Sequence, residues 1–548
     1  MDSMGPRWRS KQQYVDFDDD RYHRHSYENA SIAGSVTRRR RSSKKERQRP
    51  ATKDRPSEVH YKIVGKGKPV HGPSAPKMQP EALQVIEDHK EEIVALGFEE
   101  GVFAYPDMSP DTERKSLEAH LNLFGERTRT ITHPPTDDEH QRCSRLVAEM
   151  MQSATFVPKS DYREVSGVLD IINSSIIDPK KASGYPYCLE GKPTNGQVLE
   201  QYGVRGFAQH VLNTWEDLPF QVKNFLKGEP TKKTKLDKGM PRCIEGFPLH
   251  VTVKHASVFS QLAMTLVKQW KHIPVKYAFS PANPGHIEHL KECLPGKVWE
   301  SDKTNWDYLM YLWIANVVRD SIKKLVIKPA EWTEEQYSIY LSDIDGCFKQ
   351  VFEEASYRTS DGHIYQSNEP GIMKSGWFMT IGANSIAQVA VHVMTCIRLG
   401  MSDDDILSTP IVAGGDDVNQ APVPAGKAAY LEEAQKLGVS MEIHERGDLY
   451  ESEYFSSDLR LGVEGPEFFP KRWTKHIEHL KTVKRENLAD ALVSHMENYR
   501  HHVDKFNLLV KLYLSLEEKY PADFPKSKLV SRSLLRARQY GYEHALLC

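Results

Sequence analysis

The spacing of apolar and polar positions divides this chain into a polar lead and a long patterned body. From Met1 to about Lys68 there is almost no apolar period. Such a segment cannot bury enough surface to offset its ordering entropy, so it is expected to be disordered. Apolar residues then recur at helical spacing over Leu83–Leu96 and Glu139–Met151. Between Thr155 and Glu300 the pattern is mixed and loop-rich. A strand-like run at Val298–Asp302 precedes a helical segment at Tyr308–Val326, and a long helix is expected at Gly376–Leu399. Ile406–Ala413 and Val418–Val423 flank a Gly-Gly-Asp-Asp turn, which predicts a β-hairpin with two carboxylates at its tip. A helix at Ala425–Leu437, short paired strands over Leu449–Leu461 and a mostly helical C-terminus complete an α+β order.

Composition narrows the class. With 39% apolar and 27% charged residues in 548, the chain is a globular type with room for several compact units, neither collagen-like nor a small disulfide scaffold. The net charge of −2 conceals an asymmetry, because residues 1–68 hold 18 Lys/Arg against 9 Asp/Glu. The run Arg38–Arg49 is the most cationic part, a composition suited to a phosphate backbone or to peripheral contact with an anionic membrane. Seven cysteines, none within a CxxC spacing, argue for a reducing compartment. The first 30 residues, with Asp18, Asp19 and Asp20, do not read as a secretory signal. Asn384, Gln388, His392 and Arg398 interrupt the most apolar stretch, so no integral membrane segment is expected.

The candidate chemistry lies in two acidic clusters, each placed where a strand ends: Asp302 with Asp307, and Asp416 with Asp417. Strand ends can bring distant carboxylates together, and hard divalent cations take oxygen ligands. Between the clusters, Ser375, Gly376, Thr380 and Asn384 open a helix, with Thr380 and Asn384 at i, i+4 on one face, a stripe that offers hydrogen bonds to a sugar or base pair. Upstream, Lys227–Ile244 interleaves six cations with Gly and Pro, a loop fitted to a triphosphate.

In this order, Asp302-x4-Asp307, Ser375-Gly376-x3-Thr380-x3-Asn384 and Gly415-Asp416-Asp417 resemble motifs A, B and C of the RNA-dependent RNA polymerases of positive-strand RNA viruses. The basic loop resembles motif F, Ser183-Gly184-Tyr185-Pro186-Tyr187 resembles motif G, and Glu453–Ser457 more loosely resembles motif E. The details look most like sobemovirus and sobemo-like polymerases. The resemblance implies a right hand: a tail at 1–68, mainly fingers with an N-terminal extension over 69–295, palm over 296–460 with a fingers insertion around 327–365, and a helical thumb over 461–548. It implies that Asp302, Asp416 and Asp417 hold Mg²⁺, or alternatively Mn²⁺. Asp307, Ser375, Thr380 and Asn384 would read the ribose of an NTP, and Lys227, Lys238 and Arg242 would neutralise its triphosphate. Lys232, Lys233 and Lys235 would alternatively line a channel, while Ser183, Gly184, Tyr185 and Pro186 would meet the template. The implied partners are RNA template and product, NTPs and other viral replication proteins, in replication complexes of the host cytoplasm.

Where motif D often has a Lys as proton donor, this chain offers His444 or Arg446. An Arg is a poor acid, which favours His444. The string His-Ile-Glu-His-Leu-Lys at 286–291 and 476–481 lacks the spacing of a zinc hydrolase, and Phe468, Phe469 and Trp473 read as core. Two rivals are a reverse transcriptase, expected to carry an aromatic residue in place of Asp307, and a basic-tailed RNA-binding or coat protein without catalysis.

Overall fold

The computed structural model describes residues 58–70 and 72–540, so most of the expected basic tail lies outside the described residues. The fold is mixed α+β. Its centre is a four-stranded antiparallel sheet in the order Glu442–Arg446, Val298–Asp302, Asp417–Gln420, Ile411–Gly414. One face of this sheet packs into the main core, with Trp299 against Tyr430 and Val418 fully covered. The core's axis is the helix Thr380–Arg398, which is buried along nearly its whole length and lies against the helices Asp137–Met150 and Leu312–Lys324. By length and composition that helix is apolar enough to cross a membrane, and 89% of its most apolar window is buried inside the fold.

A second sheet has the order Tyr61–Lys66, His363–Ser367, Ala355–Arg358, Phe220–Leu226, Cys243–Gly246. Only the pair Phe220–Leu226 and Ala355–Arg358 is parallel. Alternation explains the Phe220–Leu226 strand, where Phe220, Val222, Asn224 and Leu226 point inward. The basic loop is the excursion between Phe220–Leu226 and Cys243–Gly246, so its two ends are fixed by one antiparallel ladder.

Four boundaries differ from the expectations. Tyr61–Lys66, placed in the disordered tail, is an edge strand because it pairs with His363–Ser367 and sets Tyr61 against the ring of Tyr365. The long helix begins at Thr380, since 375–379 instead form turns against strand Cys243–Gly246. Ile406 belongs to a helix, Asp403–Ser408, capped by Ser402 and carrying three aspartates at its positive end, and the strand starts only at Ile411. Residues 80–98, expected with the fingers, contribute Ala82, Val85, Ile86, Ile93 and Phe98 to the core of the C-terminal helices. Phe468 and Trp473 are core residues as expected; Phe469 is half-buried, with Arg460 4.5 Å over its ring.

Candidate active site

Strand register brings the acidic clusters together. Val418 lies opposite Ser301, so one step further Asp417 lies opposite Asp302; on the other side Glu442 is paired with Asp302. Directly opposed residues share a face, so three carboxylates line one row across three strands. Asp302 and Asp417 are buried, whereas Glu442 is exposed. Asp416 sits in the two-residue turn between Gly414 and Asp417. Its neighbour Gly415 has a φ of 65°, the positive value that the first central residue of a tight hairpin needs.

The helix Thr380–Arg398 fixes this tip: the Gly415 N–H donates to Ser385 Oγ at 2.8 Å, and Gln388 Nε2 donates to the Asp416 carbonyl at 3.3 Å. From the other side the Phe455 ring lies on Gly414, where any Cβ would come within 2.4 Å of two ring carbons. Phe455 and Ser456 hold positive φ values of 52° and 54°, so a strained hairpin carries that ring. The donor set is anionic and all oxygen. Among the described residues no three His, Cys, Asp or Glu side chains converge as a closed cage. Mg²⁺ seldom uses such a cage, because it keeps waters and substrate phosphates alongside one or two carboxylates, so these residues fit it.

Beside this row lies a polar pocket. Asn384 Nδ2 donates to Asp307 Oδ1 at 3.1 Å, and the buried Asn384 Oδ1 has no partner. Backbone bonds from Met373 to Asp307 and from Ile372 to Met310, both 2.9 Å, stitch the two loops together. Ile372 adopts a φ of 63°, rare for a β-branched residue and a mark of local strain. Ser375 is bound to Glu245: its N–H and Oγ donate to Glu245 Oε2 at 2.9 and 2.7 Å. Burial raises the Glu245 carboxyl to about 7, against the pull of those two bonds. Burial likewise brings the Lys374 ammonium down to about 7, while it donates to the Gly371 carbonyl at 2.8 Å. Thr380 differs from expectation, since its hydroxyl is directed at the carbonyls of Trp377 and Lys374, at 2.8 and 2.9 Å, and braces the turn before the helix.

In the basic loop, Lys227 and Arg242 approach the buried Glu229 at 3.1 and 3.6 Å, and Lys475 from the C-terminal helices joins them at 3.2 Å. Lys238 is exposed. Ser183 is buried and donates to the Lys192 carbonyl at 2.5 Å. Gly184, with a φ of 71°, presses against the Phe247 backbone. These two residues shape the segment, whereas Tyr185 and Pro186 are half-buried, with Arg358 stacked 4.6 Å from the Tyr185 ring. His444 lies opposite Glu300 on the carboxylate face, 40% exposed. Arg446 pairs with the buried Glu300 at 3.0 Å.

Sequence reasoning missed Glu245. The signal was a charged residue in register with buried Cys243 on an alternating strand. It also missed Ser385 and Gln388, which extend the polar stripe of the helix by one more turn.

Residues 89–417 match the family model described as viral RNA-dependent RNA polymerase. Protein P1-P2 of Turnip yellows virus is 25% identical over 417 residues, covering 67% of this chain and 37% of that protein. Protein P1-P2 of a Netherlands strain of Potato leafroll virus is 21% identical over 381 residues, 62% of this chain and 34% of the relative. Replicase polyprotein P2AB of Southern bean mosaic virus is 23% identical over 298 residues, 52% and 28%. The matched region thus spans about a third of the length of these relatives.

Proposed function

Because this chain belongs to the viral RNA-dependent RNA polymerase family, we propose that it copies an RNA template by adding nucleotides from NTPs to an RNA 3′-hydroxyl. The observation that carries this reading is the row in which Asp302 and Asp417 oppose each other beside the Asp416 tip, next to the Asp307–Asn384 pair. In this reading the four-stranded sheet is the palm, the five-stranded sheet with the basic loop belongs to the fingers, and the C-terminal helices with residues 80–98 form the thumb side.

Asp302, Asp416 and Asp417 would hold Mg²⁺, or Mn²⁺ in its place, which when bound supplies charge stabilisation to the attacking and leaving oxygens of phosphoryl transfer. The chain's own groups do the rest. Asn384 Oδ1, lacking a partner, is free to accept from a ribose 2′-hydroxyl, and Asp307 orients the Asn384 amide. Lys227, Arg242 and Lys238 neutralise the triphosphate, the first two by exchanging Glu229 for phosphate oxygens. His444, on the carboxylate face and uncommitted to a buried acid, is the better candidate to protonate the departing pyrophosphate. RNA and NTPs are the principal partners. Other viral replication proteins, and an anionic membrane reached through Arg38–Arg49, complete a replication complex in the host cytoplasm.

The test is NTP incorporation on an RNA template by wild type and Asp416→Ala. Loss of synthesis in a variant that keeps the wild-type melting temperature is expected; retained synthesis would sink the assignment.

A further inference from the structure

We propose that Glu245 is a positioning residue that fixes the hydrogen-bond polarity of Ser375 and so ties recognition of the ribose 2′-hydroxyl to the basic loop. The inference rests on the polymerase reading above, together with the expectation from the motif B resemblance that Ser375 reads the ribose. Glu245 is buried on strand Cys243–Gly246, three residues beyond Arg242 on the loop's return path. Its Oε2 accepts from both the N–H and the Oγ of Ser375, and its own N–H reaches Ser375 Oγ at 3.4 Å. Gly376 permits this close contact, since a Cβ there would come within 2.1 Å of the Glu245 carbonyl oxygen. The two hydrogen bonds to Glu245 Oε2 hold Ser375 against the strand.

A serine hydroxyl has one proton and two acceptor sites. With that proton committed to an ionised Glu245 and one acceptor site met by the Glu245 N–H, Ser375 offers its remaining lone pair to a bound nucleotide. A lone pair suits a 2′-hydroxyl, which can donate, and disfavours a 2′-fluorine, which cannot. When Glu245 is protonated, its acid hydrogen competes for Ser375 Oγ, the serine proton is released toward the nucleotide, and the preference weakens. The groups facing Glu245 set where this happens. Burial raises the carboxyl to about 7, Asp307 pushes it the same way, and Lys374 opposes. The nearby phenols of Tyr308 and Tyr357 are held well above their usual range by burial, and the Cys243 thiol on the same strand is pushed up to about 12, so all three stay neutral.

The experiment measures single-nucleotide kcat/KM for an NTP and its 2′-fluoro-2′-deoxy analogue on an RNA template, from about pH 6 to about pH 8.5, the span that brackets a neutral-range titration. In wild type the preference for the NTP is expected to fall about three- to ten-fold toward the acid end, the worth of one hydrogen bond. Glu245→Gln, whose amide oxygen still accepts from Ser375 but cannot ionise, should give a flat ratio at an unchanged melting temperature. Ser375→Ala should also give a flat ratio, at a lower preference. A flat wild-type profile, or a ratio that titrates in either variant as in wild type, overturns the proposal. Wild type that incorporates no nucleotide at any pH overturns the polymerase reading itself, and this proposal with it.

Discussion

At Gly414 a single added methyl would come within 2.4 Å of two Phe455 ring carbons. That ring is held by a hairpin whose two tip residues already occupy positive φ, so it has little freedom to retreat. Gly414→Ala is expected to lower nucleotide incorporation at least about ten-fold through displacement of the Asp416 tip, since misplacements near 1 Å can cost that much or more. Phe455→Leu in the same chain should restore part of the loss, and a double-mutant cycle showing no coupling between the two would refute the contact as the cause. At Arg446 the expected effect is on stability. Arg446→Ala leaves buried Glu300 without its guanidinium, which should cost about 2–3 kcal/mol in denaturant titration. His444→Gln should leave stability intact and alter the pH dependence of the rate; an unchanged pH–rate profile would remove His444 as the acid. The residues at this scale divide by the range of their partners. Asp302 and Asp416 stood out in the sequence because each closes a short local pattern. Glu245 did not, because its partner Ser375 lies 130 positions away and a lone glutamate in a short strand has no signature of its own.

At the scale of elements, the helix Thr380–Arg398 carries most of the site: Asn384, Ser385 and Gln388 point successive polar groups at Asp307, Gly415 and Asp416. Its apolar period and polar stripe were visible in the sequence; its first turn was not. The residues before Thr380 satisfy their backbone groups through the Thr380 hydroxyl and through Glu245, contacts that no periodicity encodes. Thr380→Val should therefore cost about 1 kcal/mol of stability, as the loss of one intramolecular hydrogen bond does, and leave the ratio of NTP to dNTP use unchanged. A changed ratio would return Thr380 to the sugar. The hairpin Ile411–Gln420 was legible from its alternation and glycines, though its first strand is shorter because Ser402 and three aspartates start a helix upstream. The five-stranded sheet was not legible, since its strands are drawn from four separate stretches between Tyr61 and Ser367, and each strand is short.

For the whole molecule, buried histidines predict acid lability. Burial lowers His120, His250 and His495 to about 4 and His255 and His392 to about 3. Each is neutral when folded and takes up a proton on unfolding below its ordinary value of 6.5. The stability they permit is thus present above that value and is lost as pH falls toward 4. The expected loss is on the order of 2 kcal/mol per histidine by about pH 5, read as a falling melting temperature. Replacing His392 with Gln should make the acid slope shallower. The joining of residues 80–98 to the C-terminal helices carries a prediction of its own. Removing those residues uncovers Trp473 and the apolar faces of helices Arg485–Asn498 and Val503–Lys519, so dye binding should rise and the melting temperature fall. The amphipathic pattern of Leu83–Leu96 was visible in the sequence, but an apolar stripe does not say which distant helix it will meet.

That pairing also sets a timetable for synthesis. Glu99 hydrogen-bonds Thr474, 375 positions further along the chain. At ribosomal speeds of roughly 5–20 residues per second, the early helices emerge on the order of 20–75 s before their partners exist. During that interval their apolar stripe is exposed, a window in which chaperone occupancy or premature aggregation competes with native folding.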